Sequence, residues 1–186
     1  MKEIEILIEV RSAKEDALKA LGQFVSQGMK KTLDVYFFDP LRKDLQPNRE
    51  AKLGRAFRLR QKGEQGSLAY KIDHFDGDMW TYSDEFETGI GDFDTCMEII
   101  KHLGLEELVR IDNEKRVFTT TEYEIVLEDV KGLGLYMEVE KIGEVADDTV
   151  EQTKENIRSF LKNLDIEFGE EQNAGKPELM LRKIGN

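Results

Sequence analysis

Residues 1–11 read MKEIEILIEVR, and the way this stretch alternates decides the fold. Side chains of an extended strand point to opposite faces in turn, so apolar and polar residues separate at a period of two. One face carries Ile4, Ile6, Ile8 and Val10. The other face carries Glu3, Glu5, Leu7 and Glu9. The stretch therefore predicts a strand with one apolar face that needs cover and three carboxylates on the opposite face.

The same alternation returns in later segments, with charges of both signs. Acid pairs two residues apart are Glu85 with Glu87 and Glu138 with Glu140. The segment RAFRLRQ places Arg58 and Arg60 on one face, and Lys71 follows on the next predicted strand. Taken alone, each segment is typical of a strand with a solvated polar side. If these strands shared one closed sheet with the charges inside, the sheet would enclose a polar tunnel lined by acids and bases.

The remaining pattern predicts an α+β chain of about eight strands, mostly antiparallel hairpins, and three helices. Strands are predicted near 1–11, 30–39, 53–61, 67–75, 79–88, 107–120, 122–129 and 134–142. Helices are predicted after the capping-box sequence SAKE at 12–15, from Asp92 to Leu103, and from Thr149 to Leu164. Residues 41–52 form a loop with the length of a lid or binding loop. In the tail 169–186, Pro177 is expected to prevent a continuous helix.

Composition limits the classes of function. The chain has 186 residues, 39% hydrophobic and 35% charged, which favours one soluble globular domain over residues 1–186. Its net charge of −12 argues against nucleic acid as a partner, because 39 acids outnumber 27 Lys and Arg. The single Cys96 is predicted to be a small core residue, and no segment has the length and apolarity of a membrane span or a signal peptide. The expected location is the cytoplasm, with no membrane partner.

Several segments, taken in order, resemble the CYTH-domain family of triphosphate tunnel metalloenzymes. The segments are EIEIL (3–7), DVYFFD (34–39), FRLR (57–60), AYK (69–71), EFE (85–87), EKRVF (114–118) and LEDVKGLGLYMEVE (127–140). The last is the most specific, and together they cover nearly the whole chain. The resemblance implies a closed or nearly closed antiparallel eight-stranded barrel, the tunnel, with helices packed outside.

The resemblance also implies a role for each charged residue. Residues that would bind the triphosphate are Arg58, Arg60 and Lys71, joined by Lys115 or Arg116, and the register between these last two stays open. Metal ligands for Mg²⁺ or Mn²⁺ would be Glu3, Glu5, Glu138 and Glu140. A supporting acidic wall would consist of Glu85, Glu87 and Glu128. No residue is assigned as catalytic, and His74 and His102 are expected to be structural.

Three positions depart from the family pattern. The lysine of its E-x-E-x-K signature is Leu7 here, the next polar position is Glu9, and an expected aspartate is Glu128. A missing cation of this kind can cost about a hundred- to thousandfold in rate. The sequence therefore predicts polyphosphate binding with slow turnover.

The resemblance leaves the reaction open. The first expectation is a metal-dependent enzyme of the class IV adenylate cyclase type, which converts ATP to cyclic AMP and pyrophosphate. The alternatives are a tripolyphosphatase or thiamine triphosphatase, and a weakly active or non-catalytic protein that binds a nucleotide or polyphosphate. The expected partner is ATP or another triphosphate, and homodimer formation stays open.

Overall fold

The computed structural model describes residues 2–143 and 149–185, which form ten strands and four helices. The strands are β1 (Lys2–Glu3), β2 (Glu5–Val10), β3 (Val25–Phe38), β4 (Arg55–Lys62), β5 (Gln65–Asp76), β6 (Met79–Ile90), β7 (Glu106–Thr119), β8 (Tyr123–Val130), β9 (Gly134–Lys141) and β10 (Phe168–Gln172). The helices are α1 (Lys14–Leu21), α2 (Phe93–His102), α3 (Val150–Lys162) and α4 (Lys176–Gly185). The α+β prediction is confirmed. No helix in the described part of the chain is long and apolar enough to cross a membrane.

All strands belong to one antiparallel sheet in the order β1-β6-β5-β4-β3-β7-β8-β9-β2-β10. The sheet is an open half-barrel, so the prediction of a closed or nearly closed eight-stranded barrel is corrected. The reason lies at the first strand. Only Lys2 and Glu3 pair with β6, whereas β2 pairs with β9 on one edge and with β10 on the other. To close the barrel, β6 would have to pair with the free edge of β2. The strand β10, which was not predicted, pairs with that edge instead.

Helices α1, α2 and α3 cover the outer, apolar faces of the strands, as the sequence predicted. Alternate residues of β2, β8 and β9 form the largest core cluster with α1 and α3, in which Ile157 is fully buried. Met97 and Ile100 of α2 pack on β3 and β4, and Cys96 is half-buried against the same cluster. Covering the outer faces leaves the charged residues of the strands on the concave inner face.

Helix α4 is the largest departure from the sequence prediction, which placed no helix in the tail 169–186. Proline is tolerated in the first helical turn, where its missing N–H would have no partner in any case. Pro177 occupies this position, one residue after the start of α4 at Lys176.

The capping-box prediction at Ser12, before α1, is wrong. Its hydroxyl accepts a hydrogen bond from the backbone N–H of Glu167 (2.7 Å) and links α1 to the segment before β10.

Candidate functional site

The inner face of the half-barrel encloses a charged cavity of about 230 Å³. Its predicted lining residues are Glu3, Glu5, Arg58, Arg60, Lys71, Glu85, Glu87, Lys115, Glu138 and Glu140. Lining residues without a predicted role include Lys30, Thr32, Lys62, Asp73, Glu124, Lys176 and Glu178. The alternation of the first strand thus places Glu3 and Glu5 inside, together with Arg58 and Arg60 of β4. Among the residues predicted for the site, Arg116 does not line the cavity and Glu128 lies behind its surface.

Arg60 is held in one orientation by Asp34 of β3. Its Nε and Nη2 donate hydrogen bonds to the two carboxylate oxygens of Asp34, at 2.6 and 2.7 Å. Asp34 is completely buried. Burial would raise the pKa of Asp34, but the hydrogen bonds and charge of Arg60 hold it at about 2. A bidentate pair of this kind fixes the plane of the guanidinium, so the remaining Arg60 donors have a defined direction.

Arg58 is nearly buried and is shared between two residues of the predicted acidic wall. Its Nη2 donates to Glu85 and to Glu87, each at 2.9 Å. Its Nε is buried without a hydrogen-bond partner among the described residues. A buried donor without an acceptor is costly. Arg58 therefore brings a fixed positive charge to the cavity.

Lys71 lies among the acids. Its Nζ is 2.5 Å from Glu3 Oε2, 3.0 Å from Glu85 Oε2 and 3.9 Å from Glu5 Oε1. Burial acts to raise the pKa of Glu85, but the charges of Lys71 and Arg58 lower it to about 2. Lys71 is therefore the cation that joins the carboxylates of β1 and β2 to the acidic wall of β6.

Glu128 organises the opposite side of the cavity. This completely buried carboxylate accepts from Lys176 Nζ at 2.7 Å and from Asn113 Nδ2 at 2.8 Å, and lies 3.3 Å from Lys115 Nζ. Lys176 also donates to Glu138 Oε2 at 2.5 Å. Sequence reasoning missed Lys176, because it belongs to the tail in which no helix was expected.

The register between Lys115 and Arg116 is settled by strand alternation. Lys115 is opposite Glu128 of β8 and is buried on the cavity side. Arg116 is opposite Leu127, does not line the cavity, and has Glu114 as its ion-pair partner at 3.9 Å. Glu114 in turn accepts from Lys14 of α1, outside the sheet. Of the two candidates, the cavity contains Lys115.

Leu7 faces the cavity at the position predicted for the family lysine. It is only 2% exposed and is opposite Glu138 on β9. The same Glu138 accepts a hydrogen bond from Lys176, so the C-terminal helix supplies a cation next to position 7. Glu9 is the second position that departs from the family pattern. It does not line the cavity, and its carboxylate lies 3.4 Å from the Arg11 guanidinium.

The four glutamates predicted as metal ligands all line the cavity. Glu5 is opposite Glu140 on the β2–β9 ladder, and Glu138 is two residues away on the same face. Burial and the repulsion of Glu5, Glu3 and Glu138 raise the pKa of Glu140 to about 8. Clustered carboxylates fit Mg²⁺ or Mn²⁺ in donor type, and a cation would relieve their repulsion. Within residues 2–143 and 149–185, however, no three such side chains already converge at a metal-binding distance.

Glu178 ties α4 to the segment before β4. Its Oε1 accepts from the Leu53 backbone N–H at 3.2 Å, and Arg182 one helical turn later donates to the Glu50 carbonyl oxygen at 3.2 Å. Glu178 is 5% exposed. Burial, with a smaller contribution from the Asp73 carboxylate, raises the pKa of Glu178 from 4.5 to about 7. The inner end of α4 is therefore anchored by a carboxyl group that prefers to be protonated.

This anchor predicts a pH-dependent stability. Between pH 4.5 and 7 the folded state keeps a proton on Glu178 that the unfolded chain has lost, so the free energy of unfolding falls as the pH rises through this window. Glu178→Gln should remove this loss and raise stability at pH 8 by ~3 kcal/mol relative to wild type. Urea unfolding at pH 5 and pH 8 measures the difference, with the exposed Glu170→Gln as control. An equal change in both variants would contradict the role of Glu178.

This chain is similar in sequence and in fold to several known proteins. A family model described as the CYTH domain matches residues 1–170. A Methanocaldococcus jannaschii protein named "Putative adenylate cyclase" is 29% identical over 168 residues, which cover 88% of this chain and 89% of that protein. The solved structure of the PH1819 protein from Pyrococcus horikoshii superposes with a TM-score of 0.81 at 23% identity and covers 97% of this chain and 99% of its own.

The name of a second similar structure includes an activity. It is an adenylyl cyclase HpAC1 from Hippeastrum, itself described as "putative" and with a dominant triphosphatase activity. Its TM-score is 0.64 at 16% identity, with 94% of this chain and 92% of that chain covered. At this identity the likeness concerns the fold.

Proposed function

Because the chain belongs to the CYTH-domain family, we propose that it is a metal-dependent enzyme that acts on a triphosphate bound in the charged cavity. One observation carries the proposal: the bases of β4 and β7 and the acids of β2 and β9 line the same cavity. A triphosphate needs several cations around it, and bound divalent metal needs carboxylates beside them. The cavity offers both sets on rigid strands.

The phosphate side of the proposed site consists of Arg58, Arg60 and Lys115, with Lys71 at its acidic border. The Nε of Arg58 has no hydrogen-bond partner in the part of the chain that the structure describes, and Asp34 orients Arg60. Burial lowers the pKa of Lys115 more than the charge of Glu128 raises it. A phosphate oxygen would favour the charged form of this lysine. These groups bind and orient the triphosphate by charge-assisted hydrogen bonds.

The metal side of the proposed site consists of Glu3, Glu5, Glu138 and Glu140. When bound there, Mg²⁺ or Mn²⁺ would neutralise phosphate charge and stabilise the leaving group. The glutamates would have to move closer together, since they do not converge in the described structure. Binding of metal and of triphosphate should therefore be cooperative, because each reduces the repulsion that the other meets.

Two reactions are compatible with this arrangement. Adenylate cyclisation, in which the ribose 3′-oxygen attacks the α-phosphate, is the first candidate, because it matches the name of the curated relative. Hydrolysis of a triphosphate by water is the second, and it is favoured by the activity named for the Hippeastrum protein and by the limited volume of the cavity. The two reactions differ in the group placed in line with the phosphorus.

Product analysis separates the candidates. The protein is incubated with ATP, tripolyphosphate or thiamine triphosphate, each with Mg²⁺ or Mn²⁺, and the products are resolved by chromatography. Cyclic AMP with pyrophosphate supports the cyclase, and orthophosphate release supports the triphosphatase. Neither reaction should survive Glu138→Ala. Tight binding without any product would leave the protein as a non-catalytic binder and would overturn the enzymatic proposal.

A further inference from the structure

Two lysines without a predicted role stand at one end of the cavity. Lys62 is the last residue of β4, four residues beyond Arg58 on the same face, or about 13 Å along the strand. Lys30 of β3 is opposite Lys115 of β7 and also lines the cavity. Arg58, Arg60 and Lys62 therefore form a row of cations on alternate residues, which Lys30 extends on the neighbouring strand.

These two lysines differ from the other bases of the cavity in their partners. Arg58, Arg60, Lys71, Lys115 and Lys176 each lie within 4.0 Å of a carboxylate. Lys30 and Lys62 have no ion pair among the described residues. Partial burial and the nearby charge of Lys30 lower the pKa of Lys62, although Glu124 across the cavity acts in the opposite direction. The two ammonium groups thus repel each other, and an anion bound between them would reduce this repulsion.

The other end of the cavity is closed by α4. Lys176, Pro177 and Glu178 are buried and line the cavity. Glu178 is bonded to Leu53, which lies just before β4 begins, whereas Lys62 is the residue at which β4 ends. The helix and the lysine pair therefore occupy opposite ends of the same strand, and the end with the lysines is the one that α4 leaves uncovered.

We propose that Lys30 and Lys62 form an outer anion subsite that binds the phosphates of a linear polyphosphate longer than three units, with the chain end directed inward toward α4. The inference rests on the proposed function, since it assumes that the inner bases hold phosphate. A row of cations on alternate strand residues matches a ligand that repeats one negative group. The uncharged ribose of a nucleotide would leave both ammonium groups without a counter-ion.

A binding comparison tests the subsite. Tripolyphosphate and long-chain inorganic polyphosphate, at equal concentration of chain ends and with Mn²⁺ present, are titrated into the full chain by calorimetry. Wild type should bind the long chain about tenfold more tightly. Lys30→Gln and Lys62→Gln should each remove most of this preference, while tripolyphosphate affinity changes by less than about twofold. Lys62→Arg should retain the preference, because it keeps the charge.

Lys31→Gln is the matched control. Lys31 is adjacent to Lys30 but exposed, with Glu114 opposite it on the β7 ladder. Equal loss in Lys31→Gln would show that net charge alone attracts the long chain, and equal affinity of wild type for both probes would also overturn the subsite. If tripolyphosphate fails to bind while the long chain binds in a manner that depends on Lys30 and Lys62, the proposed function fails and the outer subsite stands.

Discussion

Replacing Glu128 with leucine is expected to lower the free energy of unfolding by about 3 to 5 kcal/mol. Glu128 is completely buried and contacts Asn113, Lys115 and Lys176. Its loss leaves two buried cations with one fewer counter-charge and one amide donor without its acceptor. Removing one member of a buried charged network is far more costly than removing a surface pair, because the remaining charges stay desolvated. Urea unfolding monitored by circular dichroism gives the difference.

Asp129→Asn is the matched control for this variant. Asp129 is the next residue of β8 but points outward, where its half-exposed carboxylate binds Lys14 at 2.9 Å. Surface pairs of this kind contribute about 1 kcal/mol or less. The midpoint of the Asp129→Asn transition should therefore remain near wild type. If Glu128→Leu were as stable as this control, the buried network would not hold the inner wall of the cavity together.

The second large effect is expected at Lys115. Lys115→Met should lower triphosphate turnover about a hundred- to thousandfold, because it removes a buried charge-assisted donor from the phosphate side of the cavity. Glu128 keeps Lys176 and Asn113 as partners, so the variant should still fold. The rate is measured with the substrate that product analysis identifies, and a thermal melt of the same sample verifies the fold.

Arg116→Met provides the internal comparison, since the sequence motif alone did not distinguish the two positions. Arg116 has its ion-pair partner Glu114 on the other side of the sheet. Its removal should change the rate by less than about threefold, within the range of surface substitutions. A larger loss in Arg116→Met than in Lys115→Met would reverse the assignment and would place the phosphate site outside the half-barrel.

Much of the cavity could be predicted because strand alternation is a strictly local property. Once residues 1–11 are a strand, Glu3 and Glu5 must share a face, and Ile4 and Ile6 must lie on the opposite one. Because Ile4 and Ile6 are apolar and have to be buried, it is their face that the helices cover. The same argument places Arg58 and Arg60 together. The family resemblance added roles for the charged residues but left the choice between Lys115 and Arg116 open, and only the β7–β8 register resolves it.

The features that could not be predicted from the sequence, Lys176 in the cavity and the strand β10, depend on contacts between residues far apart in the chain. Lys176 is 48 residues from Glu128 in sequence, and nothing in the local sequence KPELML indicates that its lysine is buried in the cavity. The short strand β10 has two exposed glutamates and no clear alternation, so its pairing with β2 was not visible. That pairing is also the reason why the sheet is open. The errors in the barrel prediction and in the tail prediction therefore share one cause, the C-terminal segment.

Calorimetric titration of tripolyphosphate into the purified protein, with Mn²⁺ and again after chelation of divalent metal, tests the central claim most directly. The account predicts one site per chain, affinity at least about tenfold tighter with Mn²⁺, and no binding to Arg58→Ala under either condition. The result that would contradict it is the absence of binding to the folded wild-type protein, or binding that Arg58→Ala retains. Either outcome would mean that the charged cavity is not a triphosphate site.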